Sequence, residues 1–334
     1  MTPREGNDFK PPAFTILYFA VVASLFNPTP AMANCNSCFL PRINRDRNYS
    51  LGADRQGFFA DVRLEFQDWN TESVAPTALD TDHHDKDRSS EETDHSTPER
   101  HSHNRSRERY THLTLGANVS DRLTVLAHSA FVERFELADN GMEKEEGISD
   151  TDLVGIWRFH QHSSGYVGGL LGVKVPTGDS HRRDAEGALI QPELQPGSGS
   201  VDFAIGPVFE IQCPPLIFRG NAIYFLRNGG SQDYTSGDST STSLFADVIL
   251  RDTKTWALYL GADLNLQVLN KDERDGKSVG DSGGTLVFLG PNMTLRIDEN
   301  LRMSLAVLYP VIQDRGGSHQ NLGQVTTAGA RWLF

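Results

Sequence analysis

The sequence predicts an all-β protein, an antiparallel up-and-down transmembrane β-barrel of about twelve strands with long outer loops and short periplasmic turns. Three observations predict it. Apolar and polar side chains alternate with period two along segments of about 10 to 13 residues, the length a tilted strand needs to cross a bilayer. The connections between those segments alternate short and long. The chain opens on an export signal and closes on an aromatic residue. Mean hydropathy is −0.41, which does not oppose this reading, because only every second residue of a barrel strand meets lipid. A net charge of −13 argues against nucleic acid as a partner, which requires a basic face.

Residues 1–33 read as a secretory signal peptide. Arg4 and Lys10 precede the apolar run AFTILYFAVVASLF (13–26), the breakers NPTP follow, and Ala31-Met32-Ala33 supplies a small-residue cleavage site after Ala33. The run is shorter than the roughly 20 residues of a spanning helix. Asn34 stands before Cys35 where a lipoprotein would carry a small residue. Residues 34–56 then form a periplasmic N-terminal segment with a C-x-x-C, Cys35 and Cys38. No histidine follows Cys38, so haem attachment is not indicated. A local disulfide is the expectation for the pair in an oxidising compartment, with Cys213 left as a free thiol.

The barrel itself takes residues 57–334. In GFFADVRLEFQDW (57–69), Phe58, Ala60, Val62, Leu64 and Phe66 share one face, and Phe59, Asp61, Arg63, Glu65 and Gln67 share the other. WALYLGADLNLQV (256–268) repeats the pattern. Ten further strands are predicted near 109–119, 122–136, 150–160, 164–176, 201–212, 216–227, 242–252, 284–296, 300–310 and 322–334. Tight turns fall at Ser120-Asp121, 161–164, Pro214-Pro215, Asp252-Thr253 and 298–300. Long connections cover 69–108, 137–149, 177–200, 228–241, 269–283 and 311–321. This rhythm places both mature termini in the periplasm and the chain in the outer membrane of a Gram-negative bacterium, in contact with its lipid and lipopolysaccharide. The ending GARWLF puts Ala330, Trp332 and Phe334 on one face and resembles the signal that such barrels present to their assembly machinery.

The faces opposite the lipid side carry the candidate solute path: Asp61, Arg63, Glu65, Arg158, Lys174, Asp202, Glu210, Arg219, Asp247, Asp263, Arg296, Arg302 and Arg331. Charges there must be paired or hydrated. They act either as cross-strand ion pairs that rigidify the barrel or as a polar constriction that selects solutes. A second chemistry is weighed at HQHSSG (160–165), where His162 and Ser164 could form a lipase- or esterase-like pair. Its place in a short periplasmic turn favours a solvated turn. A third is metal capture by the His-rich outer loop, with His83, His84, His95, His101 and His103 near several aspartates. Their spacing matches no closed site, and a charge-rich stretch without apolar anchors is expected to stay unstructured.

Residues 170–206, LLGVKVPTGDS…LQPGSGSVDFAIG, carry a resemblance. Pro176, Thr177, Gly178 and Asp179, followed by Pro196, Gly197, Ser198, Gly199 and Asp202, look like the outer-membrane barrel family labelled "meta-pathway of phenol degradation" and related transporter-like barrels. The resemblance implies a non-enzymatic channel or transporter that passes small, even hydrophobic, molecules, with no cofactor and with the solute unnamed. Physically, Pro176 suits a strand end, where a lost ladder donor costs least, and the glycines suit tight loop geometry.

Overall fold

In a bilayer every backbone N–H and C=O must find a partner within the protein, and alternating sequences can meet that demand only by closing a sheet on itself. The computed structural model, which describes residues 56–70, 105–138, 141–183, 187–280, 282–315 and 321–334, does this. The strands are β1 (Gly57–Asn70), β2 (Arg105–Asn118), β3 (Leu123–Ala138), β4 (Gly141–Ile148), β5 (Thr151–His162), β6 (Gly165–Val175), β7 (Asp202–Cys213), β8 (Leu216–Leu226), β9 (Tyr234–Thr235), β10 (Ser239–Asp252), β11 (Trp256–Leu269), β12 (Glu273–Arg274), β13 (Lys277–Ser278), β14 (Gly284–Ile297), β15 (Leu301–Arg315) and β16 (Asn321–Leu333). Neighbouring wall strands pair antiparallel, and β1 pairs with both β2 and β16, so the sheet is closed. Strands β4 and β5 run one after the other along β3 and count as one wall strand, which gives a closed barrel of 12. The remaining short strands β9, β12 and β13 form a separate small sheet from two outer loops.

Closure is made by the chain ends. Phe59 faces Leu333 and Asp61 faces Arg331, and the Phe334 amide donates to the Phe58 carbonyl at 2.9 Å. All twelve predicted strands are present. One long connection is different from the expectation. Residues 137–149 are not an irregular loop, because β3 runs on to Ala138 and returns as β4, a hairpin that extends the wall beyond β5. The sequence there, with its Glu and Lys run, lacks the apolar alternation that marks the membrane strands.

The two faces sort as parity requires. Phe58, Val62, Leu64, Leu115, Trp157, Phe159, Leu171, Ile205, Leu260 and Trp332 are exposed. So much exposed apolar surface would be an aggregation hazard in water and fits a lipid-facing wall. Phe58, Trp157, Phe159, Trp256, Trp332 and Phe334 gather near the tight-turn end, and Phe203, Tyr224 and Tyr309 near the long-loop end. They stand where barrel aromatics meet the membrane interfaces. No described helix is long and apolar enough to cross a membrane. The inward face carries Asp61, Arg63, Glu65 and Gln67, all buried, together with apolar side chains such as Ile156, Leu170, Ile223 and Phe288.

Some sheet positions admit no side chain. A Cβ at Gly290 would lie 1.8 Å from the Val307 carbonyl oxygen across the β14–β15 seam. Gly290→Val is expected to lower stability by about 1–3 kcal/mol through overpacking, read as an earlier urea midpoint for the detergent-folded barrel.

Candidate functional site

The inward face is organised as rows of side chains held in register across neighbouring strands. One row runs Asp61, Thr114, His128, Asp152, Lys174 and Asp202 through β1, β2, β3, β5, β6 and β7. Acids and bases alternate along much of it. Directly opposed residues on one face interact most strongly when their charges are opposite, and several of these do. Lys174 Nζ lies 2.5 Å from Asp202, His128 Nδ1 lies 3.4 Å from Asp152, and on the other side of Asp61 the Arg331 Nε lies 3.5 Å away.

A histidine pair branches from this row. His112 Nδ1 and His128 Nε2 are 3.0 Å apart, with rings stacked at 5.2 Å between centroids. His112 Nε2 is 3.6 Å from Glu65, and Gln67 donates to the same carboxylate at 2.5 Å. Two imidazoles therefore stand in line between two carboxylates, Glu65 and Asp152, across four strands. The ring nitrogens that face each other need one proton between them, so one ring donates to the other and the pair ties β2 to β3.

The outer end is shaped by the β6–β7 loop, which folds against the wall. Asp150, just before β5, accepts from the Gly178 amide at 3.0 Å with one oxygen. With the other it accepts from the Ser198 amide at 2.9 Å and the Ser198 hydroxyl at 2.6 Å. Lys174 donates to Ser198 and Ser200. Arg134 reaches across from β3 to donate to the carbonyls of Leu194 and Gln195, while its Nε holds Glu108 at 3.0 Å. Gln195, fully buried, donates to the carbonyls of Arg182 and Ile190. The loop's two arms touch at Gly178 and Gly197, where a Cβ on either would come within 2.7 Å of the other's backbone. The motif residues thus have a stated job: they let the loop close on itself and on Asp150. Asp202 carries the other end of the clasp, receiving Arg227 at 3.1 Å as well as Lys174.

The other sequence candidates fall into separate places. Arg219 bridges Glu210 at 3.1 Å and Asp247 at 2.6 Å, a buried triad on β7, β8 and β10. Arg158 leaves β5 to donate to Thr124 at 3.1 Å and stacks over Tyr166 at 5.1 Å. Asp263 accepts from Asn292. Arg63 and Glu65 lie beside Asp61 on β1, and Arg302 is half-buried near the start of β15. Arg296 departs from the expectation of a lumen residue. It sits at the rim, donating to the carbonyls of Thr253 and Asp298 and to Asp252, and so ties two tight turns together. His162 and Ser164 are 3.4 Å apart in an exposed turn, with Ser163 nearer the ring at 3.2 Å. Cys213 is free and exposed. The signal peptide, Cys35, Cys38 and the metal candidates His83, His84, His95, His101 and His103 lie outside the described residues. Among the described residues, no cluster of three or more His, Cys, Asp or Glu is placed to hold a metal.

Comparison with known proteins bears on the fold. No family model and no curated protein matches the chain. Among solved structures, the COG4313 outer membrane channel from Pseudomonas putida F1 superposes with a TM-score of 0.60 at 15% identity, covering 86% of this chain and 99% of that one. The fold is that of an outer-membrane β-barrel. Two further likenesses are looser. The β domain of the Bordetella autotransporter BrkA has a TM-score of 0.45 at 11% identity over 84% of this chain and 100% of that one. The CymD monoaromatic hydrocarbon channel has 0.42 at 10% over 84% and 89%.

Sequence parity alone passes over Glu108, His112, His128, Arg134, Asp150 and Asp152. The first four lie on the inward parity of β2 and β3, so the signal was present. Asp150 and Asp152 share the parity of Arg158 in the predicted strand 150–160, although Asp150 falls just before β5.

Two outcomes follow from this geometry. Arg219→Ala strands two buried carboxylates and is expected to cost about 3–5 kcal/mol; adding Glu210→Gln and Asp247→Asn restores most of it, read from urea midpoints in micelles. Asp150→Ala removes the acceptor for the Gly178 and Ser198 amides, so hydrogen exchange across 176–201 rises while exchange in β6 and β7 stays unchanged.

Proposed function

We propose that this chain is a channel or transporter of the outer membrane for small molecules, hydrophobic ones among them, and not an enzyme. The observation that carries the reading is the composition of the inward face. Ion pairs such as Arg219 with Glu210 and Asp247 share it with an apolar belt of Val154, Ile156, Leu170, Val208, Ile223 and Phe225. An inward face that carries both apolar and polar side chains suits solutes with both apolar and polar parts. The P-T-G-D and P-G-S-G-S motifs hold the β6–β7 loop against the wall at the outer end, where such a loop can set the width of the path. The export signal, the strand rhythm and the lipid-facing aromatics support an outer-membrane location. Resemblance to the phenol meta-pathway barrels is compatible with this role and does not name the solute.

Reconstitution in planar bilayers tests the proposal. Discrete conductance steps and swelling of loaded liposomes are expected, with Asp150→Ala opening more often or wider because its loop is released. A folded barrel that passes neither ions nor solutes would point to an adhesin-like or structural role.

A further inference from the structure

On the outward face of β1 to β4, the wall changes character within one step of the pleat near its long-loop end. One row across these strands is Leu64, Thr111, Phe131 and Ile148, all exposed and none charged. The next row out is Phe66, Arg109, Glu133 and Glu146, and the row beyond it is Asp68, Arg107, Phe135 and Lys144. Arg109 therefore stands at the upper edge of the apolar surface. Its height agrees. Arg109 is nine residues from Asn118 at the tight-turn end of β2. At about 3.3 Å per residue and a tilt near 40°, that is roughly 23 Å, close to the depth of a barrel's apolar band. Each acid in the two charged rows has another base as its partner. Arg107 Nε lies 3.0 Å from Asp68, and Lys144 Nζ lies 3.1 Å from Glu133 and 2.5 Å from Glu146. Among the described residues Arg109 makes no ion pair or hydrogen bond, and its Nε is covered without an acceptor. Two rings hold it instead: its guanidinium carbon is 5.2 Å from the centroid of Phe135 and 6.0 Å from that of Phe66.

We propose that Arg109, clasped between Phe66 and Phe135, docks a phosphate group of lipopolysaccharide on the outside of the wall. A guanidinium presents a planar fork that takes two phosphate oxygens, and it is weakly hydrated, so it gives up little water to do so at a lipid surface. The two rings fix the cation by its face and leave its edge to the anion. Holding it in place beforehand reduces the ordering cost of binding. The uncharged row directly beneath, with Leu64, Phe131 and Ile148, receives the acyl chains of the same molecule. That pairing of a cation with an apolar wall selects a phosphorylated lipid over free phosphate. The long loops mark this end as the outer one, where the phosphorylated lipid is lipopolysaccharide. The inference rests on the outer-membrane placement and is independent of conduction through the barrel.

The test is native mass spectrometry of the full mature barrel released from micelles that contain diphosphoryl lipid A, lipid A stripped of its phosphates, or phosphatidylglycerol. The wild type is expected to retain diphosphoryl lipid A, with occupancy at least fivefold lower in Arg109→Gln and lowered less in Arg109→Lys. Phe135→Leu keeps the charge but removes one side of the clasp, and is expected to fall between wild type and Arg109→Gln. No retained lipid A on the wild type, or equal retention by a folded Arg109→Gln, overturns the site. Equal retention of the dephosphorylated form overturns the phosphate contact. Phosphatidylglycerol retained as well as lipid A, and lost in Arg109→Gln, overturns lipopolysaccharide as the occupant and assigns the site to a phospholipid. Conductance in planar bilayers is expected to be the same in wild type and Arg109→Gln, so a barrel that conducts nothing removes the channel and leaves this site standing.

Discussion

Everything in this protein rests on the pairing of its first strand with its last. Until β1 meets β16, each presents a row of unpaired amides and carbonyls, and such an edge has no place in a bilayer. Once Phe59 to Asn70 are in register with Leu333 to Asn321, the wall has no free edge. The same event brings Asp61 to Arg331, so the charge that would oppose burial finds its partner as the backbone does. Closure therefore does two things at once: it satisfies the main chain and sorts the inward charges.

The energetic layout is the reverse of a water-soluble protein's. Apolar side chains outside gain from lipid, and charged side chains inside gain only from one another. Buried ion pairs contribute little net stability, yet losing one partner is expensive. The Arg219 triad and the Lys174–Asp202 pair thus matter most for uniqueness of register, because a slip by one residue would turn every charge in a strand toward lipid. The β6–β7 loop uses the same economy of groups. Asp150 and Lys174 serve both the wall and the loop, so the loop's position is coupled to the wall's own pairing.

Twelve strands were legible because the period of two survives in nearly every one, from Asp61, Arg63 and Glu65 in β1 to Asp263, Asn265 and Gln267 in β11. The β3–β4 hairpin was not legible, since Lys144 and its neighbouring glutamates lie beyond the apolar stretch and carry no alternation of polarity. Among site residues, eleven of the proposed inward charges are buried, from Asp61 to Arg331, while Arg296 sits at the rim, where the turns at Asp252 and Asp298 offer it acceptors. The His112–His128 line was visible as two inward positions and invisible as a contact.

Sequence by itself determined which side chains face lipid and which face inward, where the chain turns, and how many strands close the wall. Those are local properties: side chains of a strand alternate, and turns need particular residues. Only the tertiary structure decided which charges meet and that Gly178 and Gly197 touch. Such contacts depend on the stagger between each strand and the next, accumulated around a closed circuit, and no single stretch of sequence carries that sum.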